Sequence, residues 1–494
     1  MPYNARMHSI ATRASTPARR LLGLGVAGLA VSFVALIVGG TPASATTLAV
    51  TTFTDGGAGS LRDAITQANS NAGADVITLP AGTYTLSLVG TGEDANATGD
   101  LDITSDITIV GAGSASTFID ADGIDRVFDI RSGVSELQGV TIENGDVGAS
   151  RGGNVAVRYL SSLTISDSVV SNGAALDGGG ISSDEATLVV RRTELVGNTV
   201  VGIVGNGSVG SAISAGGNAG SLELTDSLIA GNTTTDGNGA VYLNANGTIT
   251  NTTITGNESG ARTVLVEAYG EGTSLVVTLT HLTIANNTTT GNLPGLALTV
   301  NRNAPALLTV TIEGSLLMNN IVGSTSSNCA VQDLGVITSG GHNLTDDNTC
   351  TSFTQTGDLT DNQETILGVL ADNGGPTRTL ALIEGSAIDA AGACGATTPT
   401  DQRGETRPSG AACDMGAFEL LPEIVTTTTT TIAQTTTTQG SGGGAPTTLA
   451  LPPTTPGPVV LPATGSTTSG SLWVGALLLV LGTIMIGVTR RSVR

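Results

Sequence analysis

One spaced pattern occurs seven times in the middle of the chain, and it constrains the fold more than any other feature. Take as anchors Ile142, Val170, Leu195, Ile229, Ile254, Ile284 and Leu317, which follow one another at steps of 25 to 34 residues. Five residues before each stands an apolar residue: Leu137, Ile165, Val190, Leu224, Ile249, Leu279 and Ile312. Seven before, five copies are again apolar, at Leu163, Leu188, Leu222, Val277 and Val310. Two before, five copies carry a hydroxyl, at Ser168, Thr193, Ser227, Thr252 and Ser315. Three after, the last five copies all carry Asn, at Asn198, Asn232, Asn257, Asn287 and Asn320, whereas Asn144 and Asn172 stand one position earlier in the first two.

Apolar residues two apart make a short strand with one face inward. The hydroxyl marks a bend that it can bond locally. The Asn suits a turn, since its side chain tolerates the left-handed backbone region. If each copy is one rung, the Asn side chains stack into a ladder whose amides hydrogen-bond between floors. A rung of three short strands and three turns fits the step, and the variable step places insertions at the turns. The expectation is an all-β chain, a right-handed parallel β-helix, because parallel crossovers are overwhelmingly right-handed. An antiparallel sandwich with Asn in its hairpins does not by itself produce a fixed motif seven times over.

A solenoid needs covered ends. Leu61, Ala64, Ile65 and Ala68 share one face of a predicted short helix, with Ser60 as cap and Asp63 three residues on. It makes a lid for the first rung, ahead of strands at Asp75–Leu79 and Ile107–Val110. Four cysteines fall late, Cys329, Cys350, Cys394 and Cys413. Outside a cell they suit disulfides between sequence neighbours, Cys329–Cys350 and Cys394–Cys413, and their spacing fits no common zinc pattern. Asp401, Arg403, Arg407, Asp414 and Glu419 are read as an ion-pair cluster closing the C-terminal end.

The two ends of the chain bear on its location. Arg6, Arg13, Arg19 and Arg20 precede an apolar run from Leu21 to Val38, and Ala43 and Ala45 follow as the small residues of a cleavage site. That is the order of a secretory signal peptide. Near the other end, Leu461, Pro462, Ala463, Thr464 and Gly465 precede the apolar run 472–488 and then Arg490, Arg491 and Arg494. The run is long enough for a short transmembrane helix with a cytoplasmic basic tail. Motif, span and tail together resemble the LPxTG cell-wall sorting signal of Gram-positive surface proteins. The resemblance implies two partners. A sortase thiol attacks the carbonyl of Thr464 and releases Gly465, and an amine of a peptidoglycan precursor takes up the acyl group. The membrane is then met only through the sorting-signal helix before cleavage.

Gly57-Ala58-Gly59-Ser60-Leu61-Arg62-Asp63-Ala64-Ile65 and Ala74 to Tyr84 resemble the start of CSLREA-type bacterial β-helix surface proteins, with Gly59 and Asp63 in place of the Cys and Glu of that motif. Asp372 to Thr377, Asp401-Gln402-Arg403-Gly404 and Cys413 to Glu419 resemble the end module of choice-of-anchor β-helix proteins. The resemblance spans about residues 47–420 and implies fold and location, with no agreed activity. The resulting order is a signal peptide 1–45, an N-terminal cap with first strands 46–100, a β-helix 101–325, a disulfide-containing end module 326–420, a disordered Thr/Pro/Gly-rich stalk 421–460, and the sorting signal 461–494.

Composition limits the partners. Four of the 19 basic residues precede Ala45 and three follow Val488, while all 41 acidic residues lie between, so the exported part carries a net charge of about −29. Such a surface excludes nucleic acid as a partner. The chain has no Lys, and its one Trp, Trp473, lies in the apolar run. The expected role is adhesion, binding or display of an unidentified glycan or protein ligand. The alternative is a wall-held polysaccharide lyase or glycoside hydrolase. No catalytic residue is assigned. Arg191-Arg192, on a strand, reads as solvent-facing charge, Asp184-Glu185, Asp346-Asp347 and Asp358 with Asp361 sit in Gly- or Asn-rich turns, and His281 and His342 read as structural. No cofactor is required, with calcium at Asp120, Asp122 and Asp125 as the one metal candidate.

Overall fold

The computed structural model describes residues 44–422, apart from 202–207, 236, 271, 290–297, 304 and 395–397. The expected signal peptide as far as residue 43, the expected stalk from residue 423 on, the expected sorting motif and the apolar run 472–488 lie outside these residues. Among the described residues no helix is long and apolar enough to cross a membrane.

The described chain is a right-handed parallel β-helix. Its strands form sheets of 18, 10 and 7 strands, plus one antiparallel hairpin. The seven anchors occupy one continuous column: Ile142 pairs with Val170, then Leu195, Ile229, Ile254, Ile284 and Leu317, each in register with the next. So do the residues five before them, from Leu137 through Ile165, Val190, Leu224, Ile249 and Leu279 to Ile312. All fourteen are fully buried. Burying a side chain of this size is worth about 1.5–3 kcal/mol over leaving it exposed, so these columns are the main cohesive element of the solenoid. The columns also extend upward through Ile109 and Ile119, which belong to one further rung that lacks the Asn signature.

The 18-stranded sheet holds two strand files per rung. One, here the groove file, contains Leu101–Ile103, Phe128–Ile130, Val155–Val157, Ile181–Asp184, Val264–Ala268, Leu298–Arg302 and Cys329–Asp333. The other carries the repeat. The long strands Ile213–Thr225 and Val241–Thr250 run through both.

The bends follow the hydroxyls. Ser168, Thr193, Ser227, Thr252 and Ser315 each donate to the carbonyl two residues earlier, at 2.6–2.9 Å. One detail differs from expectation. The left-handed residue is the one before each ladder Asn, namely Gly197, Gly231, Gly256, Asn286 and Asn319, together with Asn144 and Asn172. A backbone at φ near +60° suits Gly or Asn. The ladder Asn itself is turned inward and fully buried. The two early Asn residues are therefore turn residues, and a different position of the chain fills their place in the ladder: Asn154, whose Nδ2 donates to Asn198 Oδ1 at 3.2 Å. Asn328 closes the other end, accepting from Asn320 at 2.8 Å.

Helix α1 (Leu61–Ser70) forms as expected. Ser60 accepts from the Asp63 amide, and Asp63 accepts from the Gly59 amide at 2.8 Å. Leu61, Ala64, Ile65 and Ala68 are buried in the same core as the first rungs. Both disulfides pair as sequence neighbours, with Cα–Cα distances of 4.8 Å for Cys329–Cys350 and 5.7 Å for Cys394–Cys413, inside the ordinary range.

The C-terminal module corrects an expectation. Its cluster does not close the end of the solenoid. Cys350 and Phe353 join the interior core there. The hairpin Ile366–Ala371/Thr379–Glu384 and residues 398–420 instead fold back along the outer face of the anchor column. Arg378 pairs with Glu194 at 2.6 Å, Gln402 accepts from Thr253 at 2.6 Å, and the Ala417 amide donates to Thr283 at 2.9 Å. Ala285, Leu316, Met318 and Leu344 form a second core with Leu380, Leu382, Met415 and Phe418. Those outward-facing apolar residues need a cover, and a module on the side supplies one that a plug at the end does not. Within the module, Arg403 pairs with Asp401 at 2.8 Å and Arg407 with Glu419 at 3.3 Å.

Candidate functional site

In the groove file alternate side chains point outward. Register defines two outward columns. One runs Asp102, Asp129, Ala156, Ser182, Ser214, Tyr242, Leu265 and Thr299. Beside it, the strands place Asp184 against Gly216, Gly216 against Asn244, Glu267 against Asn301, and Asn301 against Gln332. Both columns are polar along much of their length, unlike a face held only by packing.

Two hollows open on this face. The larger, about 440 Å³, is lined among others by Asp184, Tyr242, Asn244, Arg262, Glu267 and Asn301. Glu267 accepts from Asn301 Nδ2 at 2.7 Å and lies 3.4 Å from the Tyr242 hydroxyl, which burial pushes up in pKa. Asn244 donates to the Glu267 carbonyl at 2.6 Å. Arg262 spans rungs, bonding Asn238 Oδ1 and, at 2.8 Å, Gln332 Oε1. Burial lowers the Arg262 pKa. Its Nε and Asn301 Oδ1 are buried with no hydrogen-bond partner among the described residues. An unpaired buried polar atom costs about 1–3 kcal/mol, which bound water or ligand recovers. At the rim Arg151 pairs with Asp177 at 3.1 Å.

The second hollow, about 400 Å³, is lined by Glu93, Asp94, Asp125, Arg126, Asp129, Arg131 and Arg158 among others. Beneath it, oxygens of Asp100, Asp102 and Asp129 lie within 4.8 Å of one another, and all three residues are buried. Arg158 holds both oxygens of Asp129, at 2.7 and 2.9 Å, and Arg126 pairs with Asp100. Burial pushes Asp100 up to about 7 and Asp102 up to about 6, with repulsion from neighbouring carboxylates adding to both.

The residues singled out in the sequence fall elsewhere. Asp120 accepts from the Asp122 amide and from Asn144, Asp122 takes a left-handed turn conformation, and Asp125 accepts from the Arg126 amide. They serve turns, and the convergent carboxylates are Asp100, Asp102 and Asp129 instead. Arg191 pairs with Glu223 and Arg192 with Asp167, both between rungs. Asp346, Asp347 and Asp358 accept backbone amides in the end module. His281 is buried beside Arg407, and burial pushes its pKa down to about 3. His342 contacts the Ala390 carbonyl at 2.7 Å. The groove was missed because its residues recur at no fixed spacing from the anchors. The only local signal was Asp at both Asp102 and Asp129 within otherwise apolar strands.

Fold and face together define a parallel β-helix protein with one polar lateral groove. No protein-family model and no curated protein matches the chain. Among solved structures it is similar to one described as the crystal structure of pectate lyase Pel9A, at 14% identity and a TM-score of 0.33, covering 76% of this chain and 97% of that one.

Proposed function

We propose that the chain is a sortase-anchored surface protein of the choice-of-anchor type whose groove binds an extended, largely neutral glycan. The carrying observation is the pair of orphaned polar atoms, Arg262 Nε and Asn301 Oδ1, in a hollow lined by amide, hydroxyl and carboxylate groups from successive rungs. Rungs about 4.8 Å apart from Ser182 to Gln332 give a track of roughly 25 Å, which suits a chain of sugars better than a compact ligand. Arg151 and Arg262 face Asp177, Asp184 and Glu267, so the hollow is nearly neutral although the chain as a whole is acidic. Tyr269, half exposed, offers apolar surface with a polar tip beside the buried Tyr242, in a protein whose one Trp lies far along the sequence.

The test uses the exported chain, 46–464, on an array of neutral glycans, acidic glycans and host proteins. A neutral glycan should be retained, and Asn244→Ala with Glu267→Ala should weaken it at least tenfold when measured well below the variant's melting transition. Retention unaffected by these changes, or no retention of any glycan, overturns the groove. New reducing or unsaturated ends in the bound glycan would instead support the lyase or hydrolase alternative. Anchoring is checked separately. A Thr464→Ala chain should appear in the medium, where the unaltered chain stays with the wall.

A further inference from the structure

We infer that Asp100, Asp102 and Asp129 bind one divalent cation, calcium by its chemistry, which pins the N-terminal cap loop to the first two rungs. Asp102 and Asp129 are direct neighbours in the groove file, and Asp100 stands two residues before Asp102. Calcium takes oxygen ligands at about 2.3–2.6 Å in flexible geometry, so oxygens on opposite sides of it stand roughly 4.8 Å apart. The three carboxylates present oxygens within 4.8 Å of one another.

A cluster of acids alone would not suffice. The second observation is Asp102 itself. The residue is 1% exposed, its Oδ2 accepts from the Asn96 amide at 3.0 Å, and its Oδ1 has no hydrogen-bond partner among the described residues. The nearest cation, Arg131 Nη1, stands 3.9 Å from that oxygen and is already engaged by Asp94 and Asp129, at 2.8 and 3.0 Å. Asp125 Oδ2, beside Arg126, is likewise buried without a hydrogen-bond partner among the described residues. The surrounding charge is also unbalanced. Among the described residues, Asp94, Asp100, Asp102, Asp125, Asp129 and Glu93 stand near Arg126, Arg131 and Arg158, while Arg62, which also acts on Glu93, is paired with Asp55. A divalent ion offsets most of that excess and satisfies Asp102 Oδ1. Asn96, whose side chain bonds the helix α1 carbonyl of Arg62 and whose amide bonds Asp102, links the site to the lid.

The exported chain is stripped with a chelator and titrated with calcium by calorimetry at pH 7.5, then melted with and without the ion. The expected result is one binding event per chain, with a melting temperature raised by roughly 3 °C at a hundredfold excess over the dissociation constant. Asp102→Asn should lose the binding heat, and Asp120→Asn should keep it. Manganese diffused into crystals should give an anomalous peak between the three carboxylates, which locates the site even if Asp102→Asn does not fold. No heat with calcium, magnesium or manganese overturns the inference, as does a peak at Asp120 and Asp122.

Discussion

Two stacks of polar side chains run along this solenoid, and they have opposite characters. The Asn ladder, from Asn154 through Asn198, Asn232, Asn257, Asn287 and Asn320 to Asn328, is neutral and closed. Each interior amide donates to the next Asn and to a backbone carbonyl, and each carbonyl oxygen accepts both the side chain and the amide of the floor before. The carboxylate–arginine stack under the groove is charged and left incomplete, with orphaned oxygens at Asp102 and Asp125. A buried polar column that satisfies itself serves the fold. One that does not leaves buried polar atoms at a cost to the fold.

The largest effect should come from breaking the closed stack. Asn257→Ala removes the acceptor of the Asn232 amide and side chain and the donor to Ile229. Orphaning several buried groups at about 1–3 kcal/mol each predicts a loss of roughly 3–5 kcal/mol, read from the urea midpoint. The same change at Asn154, the end of the ladder, should cost clearly less, because no ladder residue precedes it.

The closed stack was largely legible in the sequence because one rung dictates the next. A residue that must meet its own kind 25 to 34 positions later leaves a period, and the apolar anchors share it. Asn154 and Asn328 escaped because they enter the ladder from other parts of their rungs, where the spacing to an anchor differs. The groove was not legible for the same physical reason. Its side chains do not repeat from floor to floor: Asp102 and Asp129 give way to Ala156 and Ser182 along the same column. The lateral seat of the C-terminal module was hidden too. Leu316 and Met318 read as ordinary strand residues, and only register shows that they face outward and need covering.

In the open stack, Arg158→Gln takes away the bidentate partner of Asp129. Arg131 and Arg126 remain near that carboxylate, and Arg158 itself is 41% exposed, so solvent screening reduces the penalty. The expected loss is about 1–2 kcal/mol, smaller than for Asn257→Ala and detectable by the same denaturation. A loss as large as the ladder's would mean that the charged stack also carries the fold.

Acid should separate the two stacks further. Asp100 and Asp102 have folded values of about 7 and about 6, both above the ordinary carboxylate value of 3.8. The folded state therefore binds more protons than the unfolded one between pH 4 and 7. Without added metal, stability from these groups is fully present below pH 4 and is lost as pH rises through 6 and 7. Lowering the pH from 8 to 5.5 should stabilise the chelated chain by on the order of 1 kcal/mol, and added calcium should erase that gain by holding both groups ionised at high pH. The Asn ladder has nothing to titrate, so Asn257→Ala should shift the whole curve down without changing its slope.

The smallest effect marks where the comparison stops. Arg191 and Glu223 also stack between rungs, at 2.6 Å, but on the open outer face, with side chains 44% and 42% exposed. Water already solvates both charges, and their attraction is screened by salt. Arg191→Ala should therefore change stability by less than about 0.5 kcal/mol. The measurement is the urea midpoint at low and at moderate salt. A larger loss that persisted in salt would show that stacking alone, without burial, stabilises this solenoid. It would place the Asn ladder and the exposed ion pairs in one class, and burial would no longer separate a column that builds the fold from one that merely decorates it.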